Sequence, residues 1–110
     1  MRYRRLARVA LVDNLEANGI LDLIELETAN YRRCLKEAEG SEVASTRISW
    51  LSAALESVHA AAEMAGRLRE HNPDAADRLV NRWRDEAARL AVQRHKVVEN
   101  RRAELNRLAA

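Results

Sequence analysis

Residues 48–68 read ISWLSAALESVHAAAEMAGRL, a segment in which apolar side chains recur every three or four positions. Because an α-helix turns once per 3.6 residues, this spacing places the recurring side chains on one face. Upstream, Gly40 and Ser41 supply a helix-ending glycine and a helix N-cap. The segment therefore predicts one amphipathic helix over residues 42–71. Its apolar positions are Ile48, Leu51, Leu55, Val58, Ala62, Ala65 and Leu68.

The clearest boundary in the chain follows this helix, at His71-Asn72-Pro73-Asp74. A proline disfavours the helical conformation at the residue before it, so Asn72 is expected to end the preceding helix. Asp74 can cap the next helix and forms a reduced capping box with Asp77. No glycine or proline follows. We therefore predict a helix over residues 74–109.

Apolar positions of this last helix also recur at helical spacing, but two arginines interrupt them. Arg94 and Arg101 fall at positions where the pattern calls for an apolar side chain. We therefore expect the far half of the helix to be less securely buried than the near half. The apolar positions are Leu79, Trp83, Ala87, Leu90, Val97 or Val98, Leu105 and Leu108.

Residues 2–39 predict a first helix that is broken or kinked near Asn18-Gly19. Gly19 fits the position just after a helix, and Asp22 with Glu25 can form the capping box of a new one. Keeping this glycine inside one unbroken helix costs only about 1 kcal/mol. The chain would then have three helices of nearly equal length. The chain is therefore expected to have three long helices, or four if the break divides the first.

The composition fits one all-α domain spanning residues 1–110. Twenty alanines, three glycines and one proline in a chain that is 47% hydrophobic and 33% charged exclude a disordered segment and a β-sandwich. We predict an antiparallel helical bundle, because short connections join neighbouring helices in opposite directions. An odd number of helices places the two ends of the chain at opposite ends of the bundle.

Localisation is predicted from the cysteine count and the apolar runs. Cys34 is the only cysteine, so it cannot form an intramolecular disulfide, and we expect a small buried core thiol. No apolar run exceeds four residues, whereas a membrane helix needs roughly 18. These features predict a cytoplasmic protein with no membrane contact. Arginine outnumbers lysine seventeen to two, and this bias with abundant alanine is expected of a bacterial genome of high GC content.

The one spacing with metal chemistry is Glu56-Ser57-Val58-His59. An E-x-x-H step places a carboxylate and an imidazole one turn apart, as in di-iron helical bundles, and Glu27 could supply a further carboxylate. A ferritin-like dimer would have to provide the second copy of the step. At 100° per residue, however, His59 lies about 80° and Glu56 about 140° from Leu51, which fits a solvated face. No cofactor is therefore expected, and the metal site is kept as an alternative.

His59 also invites comparison with histidine phosphotransfer domains, which resemble this chain in size and helical architecture. In that family a lysine and then a small residue follow three and four positions after the histidine, whereas this chain has Ala62 and Glu63. The phosphotransfer role is therefore not assigned to His59. No other arrangement of a nucleophile with a base is evident, so we predict that the protein is not an enzyme and has no catalytic residues.

Nucleic-acid binding is a further alternative, because basic residues cluster at both ends of the chain. The net charge is only +2, and Glu99 and Glu104 interleave the second cluster at spacings typical of surface ion pairs. This balance makes nucleic acid an unlikely partner. The first cluster is Arg2, Arg4, Arg5 and Arg8, and the second is Arg94, His95, Lys96, Arg101, Arg102 and Arg107.

The remaining function class is a small interaction protein, and four residues are candidates for its interface: Trp50, Trp83, Leu51 and Leu55. Aromatic residues are enriched at interfaces, although a position on the apolar stripe also fits Trp83 in a core. Alanines at 53, 54 and 60–62 would let another helix approach closely on a second side. We therefore predict an adaptor, chaperone or regulator that binds a partner protein through an amphipathic or coiled-coil surface, as a homodimer.

Residues 17–35 include ANGILDLIELE followed by Tyr31-Arg32-Arg33 and Leu35. This segment resembles the entry to the second helix of small flagellar export chaperones. The likeness covers under a fifth of the chain, and neither a function nor a residue role is carried over from it.

Overall fold

The computed structural model describes residues 15–110 and contains three α-helices. We label them α1, Leu15–Gly40; α2, Ala44–Arg67; and α3, Pro73–Ala109. A 3₁₀ turn, Leu68–Glu70, ends α2. The described residues contain no strand. The prediction of an all-α bundle is confirmed, and residues 2–14 of the predicted first helix lie outside the described residues.

Contacts between the helices show that α2 runs antiparallel to both of its neighbours. Near one end of the bundle, Arg69 contacts Asp77 at 3.0 Å and His71 lies 3.8 Å from Glu16. Farther along, the Arg94 Nε donates to the Ser52 Oγ at 2.7 Å. The described chain therefore begins and finishes at opposite ends of a bundle measuring 64 × 20 × 18 Å.

The centre of the core is formed by buried residues of α2 and of the 3₁₀ turn that follows it. These residues recur at alternating steps of three and four positions. Leu51, Val58 and Leu68 are fully buried, as the sequence predicts, but Ala54 and Ala61 are buried where Leu55 and Ala62 were expected. The core face is therefore rotated toward the small residues. The reason is that α2 packs against α1 on one side and α3 on the other, and alanine allows both helices to come close. The fully buried positions are Leu51, Ala54, Val58, Ala61, Ala65 and Leu68.

The connection between α1 and α2 differs from the prediction. Gly40 ends α1 without a positive φ, and the N-cap of α2 is Val43 rather than Ser41. Residues 41–43 form the turn, and the Ser41 hydroxyl donates to the Val43 carbonyl at 3.3 Å. The Arg47 guanidinium donates to the Ser41 carbonyl at 2.8 Å. The helix therefore begins two residues after the predicted start at residue 42, because residues 41–43 form the turn that reverses the chain.

The boundary before α3 is where the sequence places it, but the capping residue is different. Asn72 has an extended backbone, as a residue before proline should, and its side chain accepts a hydrogen bond from the Ala75 N–H at 3.1 Å. Pro73 then occupies the first turn, where its missing N–H costs nothing. The expected cap, Asp74, lies inside the helix, and Asp77 pairs with Arg69 instead of completing a capping box.

The break predicted at Asn18-Gly19 is absent. α1 continues through both residues, and no described glycine has a positive φ. The physical reason is that Ala17, Ile20, Leu21 and Ile24 are buried at helical spacing across this point. Packing of these side chains outweighs the weak preference of glycine for a helix end.

Replacing Gly19 by alanine is therefore expected to stabilise the protein by about 0.5–1 kcal/mol, because alanine has a lower entropy cost in a helix. A Cβ at this position meets nothing within 4 Å. Urea denaturation of the variant measures the change. Gly40→Ala is the control: its Cβ is equally unobstructed, but it lies at the last residue of α1, where a smaller gain is expected. A loss of stability for Gly19→Ala alone would show that the helix is interrupted there.

Candidate functional site

The most distinctive surface is the far end of α3, which continues past the rest of the bundle. Leu90 is its last buried residue, and every side chain from residue 100 onward is exposed. The first residue of α2, Ala44, lies beside Val97 and Leu105 in an open groove of about 230 Å³. No described helix covers the turn beyond, so the expectation that this half is less securely buried is confirmed.

Apolar side chains continue along this uncovered segment at the same helical spacing. We define the C-terminal stripe as Val97, Arg101, Leu105 and Leu108. Leu105 is 53% exposed and Leu108 is 73% exposed, although both were predicted on the apolar face of the helix. Leucines at this spacing that are more than half exposed form a surface suited to another helix.

Arg94 marks the point where packing against α2 weakens. It occupies a stripe position but is only half-buried, and its guanidinium donates to the Ser52 hydroxyl of α2. Replacing an apolar contact with a polar one lets the arginine head reach the surface while its stem packs on the helix. The contact between α2 and α3 therefore changes from apolar to polar before α3 extends beyond the end of α2.

Ion pairs along the exposed end of α3 stay within the helix. Arg102 contacts Glu99 at 3.1 Å, and Arg107 pairs with Glu104. These pairs lie three residues apart on the surface, where each contributes only about 0.3–0.5 kcal/mol. Two members of the second basic cluster, Arg102 and Arg107, thus meet carboxylates of their own helix. Arg2, Arg4, Arg5 and Arg8 lie outside the described residues.

A second exposed apolar surface lies on α1. We define the outer stripe as Leu15, Leu23 and Leu26, which face away from the buried side of this helix. Leu15 is 89% exposed and Leu26 is 56% exposed, and Leu23 borders an open groove with Arg67 and Glu70. The sequence did not indicate a role for these leucines, because their spacing is irregular.

The candidate metal residues are divided between two places. Glu27 and Glu56 line one open groove of about 440 Å³ between α1 and α2, together with Cys34 and Trp50. His59 is exposed and does not line that groove. Among residues 15–110 no group of three His, Cys, Asp or Glu side chains could hold a metal ion. A single chain therefore brings two carboxylates together without the imidazole.

Cys34 is buried, in agreement with the expectation of a core thiol. Burial raises the pKa of this thiol, because a thiolate loses hydration inside the protein, and the nearby Arg33 opposes the rise only partly. The raised pKa favours the protonated thiol over the thiolate.

A polar cluster joins α1 to α3 beside the core. The Tyr31 hydroxyl donates to a carboxylate oxygen of Glu86, and the Arg89 guanidinium donates to the same carboxylate. The Arg89 hydrogen bond holds the pKa of Glu86 below its usual value, while burial raises the pKa of Tyr31. The Tyr31 ring also meets Trp83 edge-to-face, with centroids 5.7 Å apart. This arrangement ties the two outer helices together and is structural in character.

The four candidate interface residues have different surroundings. Leu51 and Trp83 are buried within the chain, so their side chains leave no surface for a partner. The Trp83 Nε1 has no hydrogen-bond acceptor in the described part of the chain. Trp50 and Leu55 pack against the edge of the core and remain partly exposed. The second side of α2, where alanines 54 and 61 lie, is covered by helices of the same chain.

Comparisons with known proteins place the chain in no family. The sequence matches no protein-family model, and neither a curated protein nor a solved structure matches it. None of the helices in residues 15–110 is both long enough and apolar enough to cross a membrane.

Proposed function

We propose that this protein is a small helical-bundle adaptor, chaperone or regulator that binds a partner protein through the C-terminal stripe of α3. The observation that carries the proposal is the uncovered end of α3, where Leu105 and Leu108 are more than half exposed. Because His59 does not line the groove that Glu27 and Glu56 share, we favour the adaptor class over the ferritin-like alternative.

Three features of the stripe support a helical partner. Its residues recur at steps of three and four, which is the spacing that fits into the groove of another helix. The segment is already helical, so binding does not have to order it. Exposed leucines in water gain roughly 25 cal/mol for each Å² of apolar surface that a partner covers.

The assembly we propose is a homodimer in the cytoplasm of a bacterium. Exposed apolar stripes on both α1 and α3 support self-association, and a single buried cysteine fits a reducing compartment. A coiled-coil contact is the form we expect, since both stripes are helical.

The test is photo-crosslinking in cells that express the protein. A photoreactive amino acid placed at position 108 is expected to give a discrete adduct with another polypeptide, identified by mass spectrometry. Position 92 is the matched control, because Val92 is exposed to a similar degree as Leu105 but lies on the opposite side of α3. Equal yields at the two positions, or no adduct at 108, would contradict the proposal.

A further inference from the structure

The two exposed stripes lie in segments of opposite charge. Residues 15–30 of α1 contain four acidic residues and no basic residue, a net charge of −4. Residues 91–110 of α3 contain five basic residues and two acidic residues, a net charge of +3. Contact between two outer stripes, or between two C-terminal stripes, would bring like charges together. Contact between one of each would bring opposite charges together.

Charged residues are arranged along the edges of both stripes. At 100° per residue, acidic side chains flank the outer stripe on both sides: Asp22 and Glu25 on one, Glu16 and Glu27 on the other. The C-terminal stripe contains Arg101 and is bordered by Arg102 on one side and by Glu104, which pairs with Arg107, on the other. Each surface is thus an apolar strip bordered by charged residues: those beside the outer stripe are all acidic, whereas those at the C-terminal stripe are three basic residues and one acidic residue.

The stripes also match in length. Leu15 to Leu26 and Val97 to Leu108 each span twelve residues, or about 17 Å of helix at 1.5 Å per residue. Two helices packed over this distance can interdigitate leucines from both sides. The two surfaces lie toward opposite ends of the bundle, so one chain cannot bring its own pair together.

We infer that the C-terminal stripe of one copy binds the outer stripe of a second copy, so that the protein self-associates head to tail through an acidic and a basic leucine surface. This inference rests on the proposed function, because it names the occupant of the same stripe. The contact is heterologous: the two copies contribute different surfaces. A dimer formed in this way leaves one stripe of each kind uncovered, and a third copy can add at higher concentration.

Mixing two variants tests the inference. The first variant, Leu105→Glu with Leu108→Glu, places acidic groups on the C-terminal stripe and keeps the outer stripe intact. The second variant, Leu15→Lys with Leu26→Lys, places basic groups on the outer stripe and keeps the C-terminal stripe intact. All four leucines are exposed, so the bundle core is not touched. Sedimentation velocity is expected to show each variant alone as a monomer and the mixture as a one-to-one complex.

Wild-type protein is expected to self-associate, and each double substitution should raise its dissociation constant at least about tenfold. Raising the salt concentration from about 0.1 M to about 1 M shortens the Debye length from about 10 Å to about 3 Å and should weaken the wild-type complex. Val92→Glu introduces the same charge on the opposite side of α3 and should leave self-association unchanged. Circular dichroism confirms that each variant keeps its helices.

Two results would overturn the inference. If either variant alone still dimerises, a stripe pairs with its own kind or another surface is used. If the wild-type protein and the mixture both remain monomeric, a second copy is not the occupant. Crosslinking at position 108 to a different polypeptide would then leave the proposed function standing without the inference, whereas failure of crosslinking as well would remove both.

Discussion

Trp83→Ala is expected to lower the free energy of unfolding by about 3–5 kcal/mol, a large fraction of the stability of a small domain. The Trp83 side chain is 3% exposed and fills the space between α3 and the Tyr31 ring. Truncation to alanine removes the apolar contact and leaves a cavity that the surrounding helices cannot fully close. Urea denaturation followed by circular dichroism measures the loss.

Trp50→Ala is the matched control for that substitution. Trp50 is also an indole, but it is only partly buried, at the edge of the groove between α1 and α2. The Trp50→Ala variant is expected to lose less than about 2 kcal/mol, because part of the Trp50 surface already faces water. If the two tryptophan variants lost equal stability, the placement of Trp83 in the core and Trp50 at its edge would be wrong.

Leu51→Ala is expected to cost about 2–5 kcal/mol, since Leu51 is fully buried in the middle of α2. Leu55 lies one turn along the same helix and remains partly exposed. Leu55→Ala removes the same atoms from a position where solvent can fill the space, so a clearly smaller loss is expected. Thermal unfolding of both variants compares them, and a reversed order would show that the core face of α2 is centred on Leu55.

Much of the fold follows from local signals in the sequence. Pro73 restricts Asn72 whatever the rest of the chain does, so the boundary before α3 could be predicted within a residue or two. The exact core face of α2 could not be predicted from the sequence, because alanine gives a weak hydrophobic signal. Ala54 and Ala61 become core residues only because helices lie on both sides, and that is a property of the assembled bundle.

Gly19 is a second position at which packing in the assembled bundle overrides a local sequence signal. Its local preference for a helix end is worth about 1 kcal/mol, which burial of neighbouring side chains such as Ile20 and Leu21 exceeds. A sequence pattern reports the local preference alone. The break was therefore predicted where packing prevents it.

The exposed stripe on α3 could be predicted in part. The sequence placed Leu105 and Leu108 on the apolar face, but it also predicted helices of nearly equal length, which would have covered them. α2 has 24 residues and α3 has 37, or about 36 Å and 55 Å of helix. The difference in length leaves the end of α3 without a neighbour. The leucines of the outer stripe lacked any periodic signal that could have revealed them.

The most direct test of the proposed function is the comparison of photo-crosslinking at positions 108 and 92 of the 110-residue chain. Both positions are exposed on α3 and differ in the face they occupy. We expect a discrete polypeptide adduct at position 108 and none at position 92. The adduct at 108 is expected to disappear when Leu105 is replaced by glutamate. Adducts of equal yield at both positions, or an adduct at 92 alone, would contradict the claim that the C-terminal stripe binds protein.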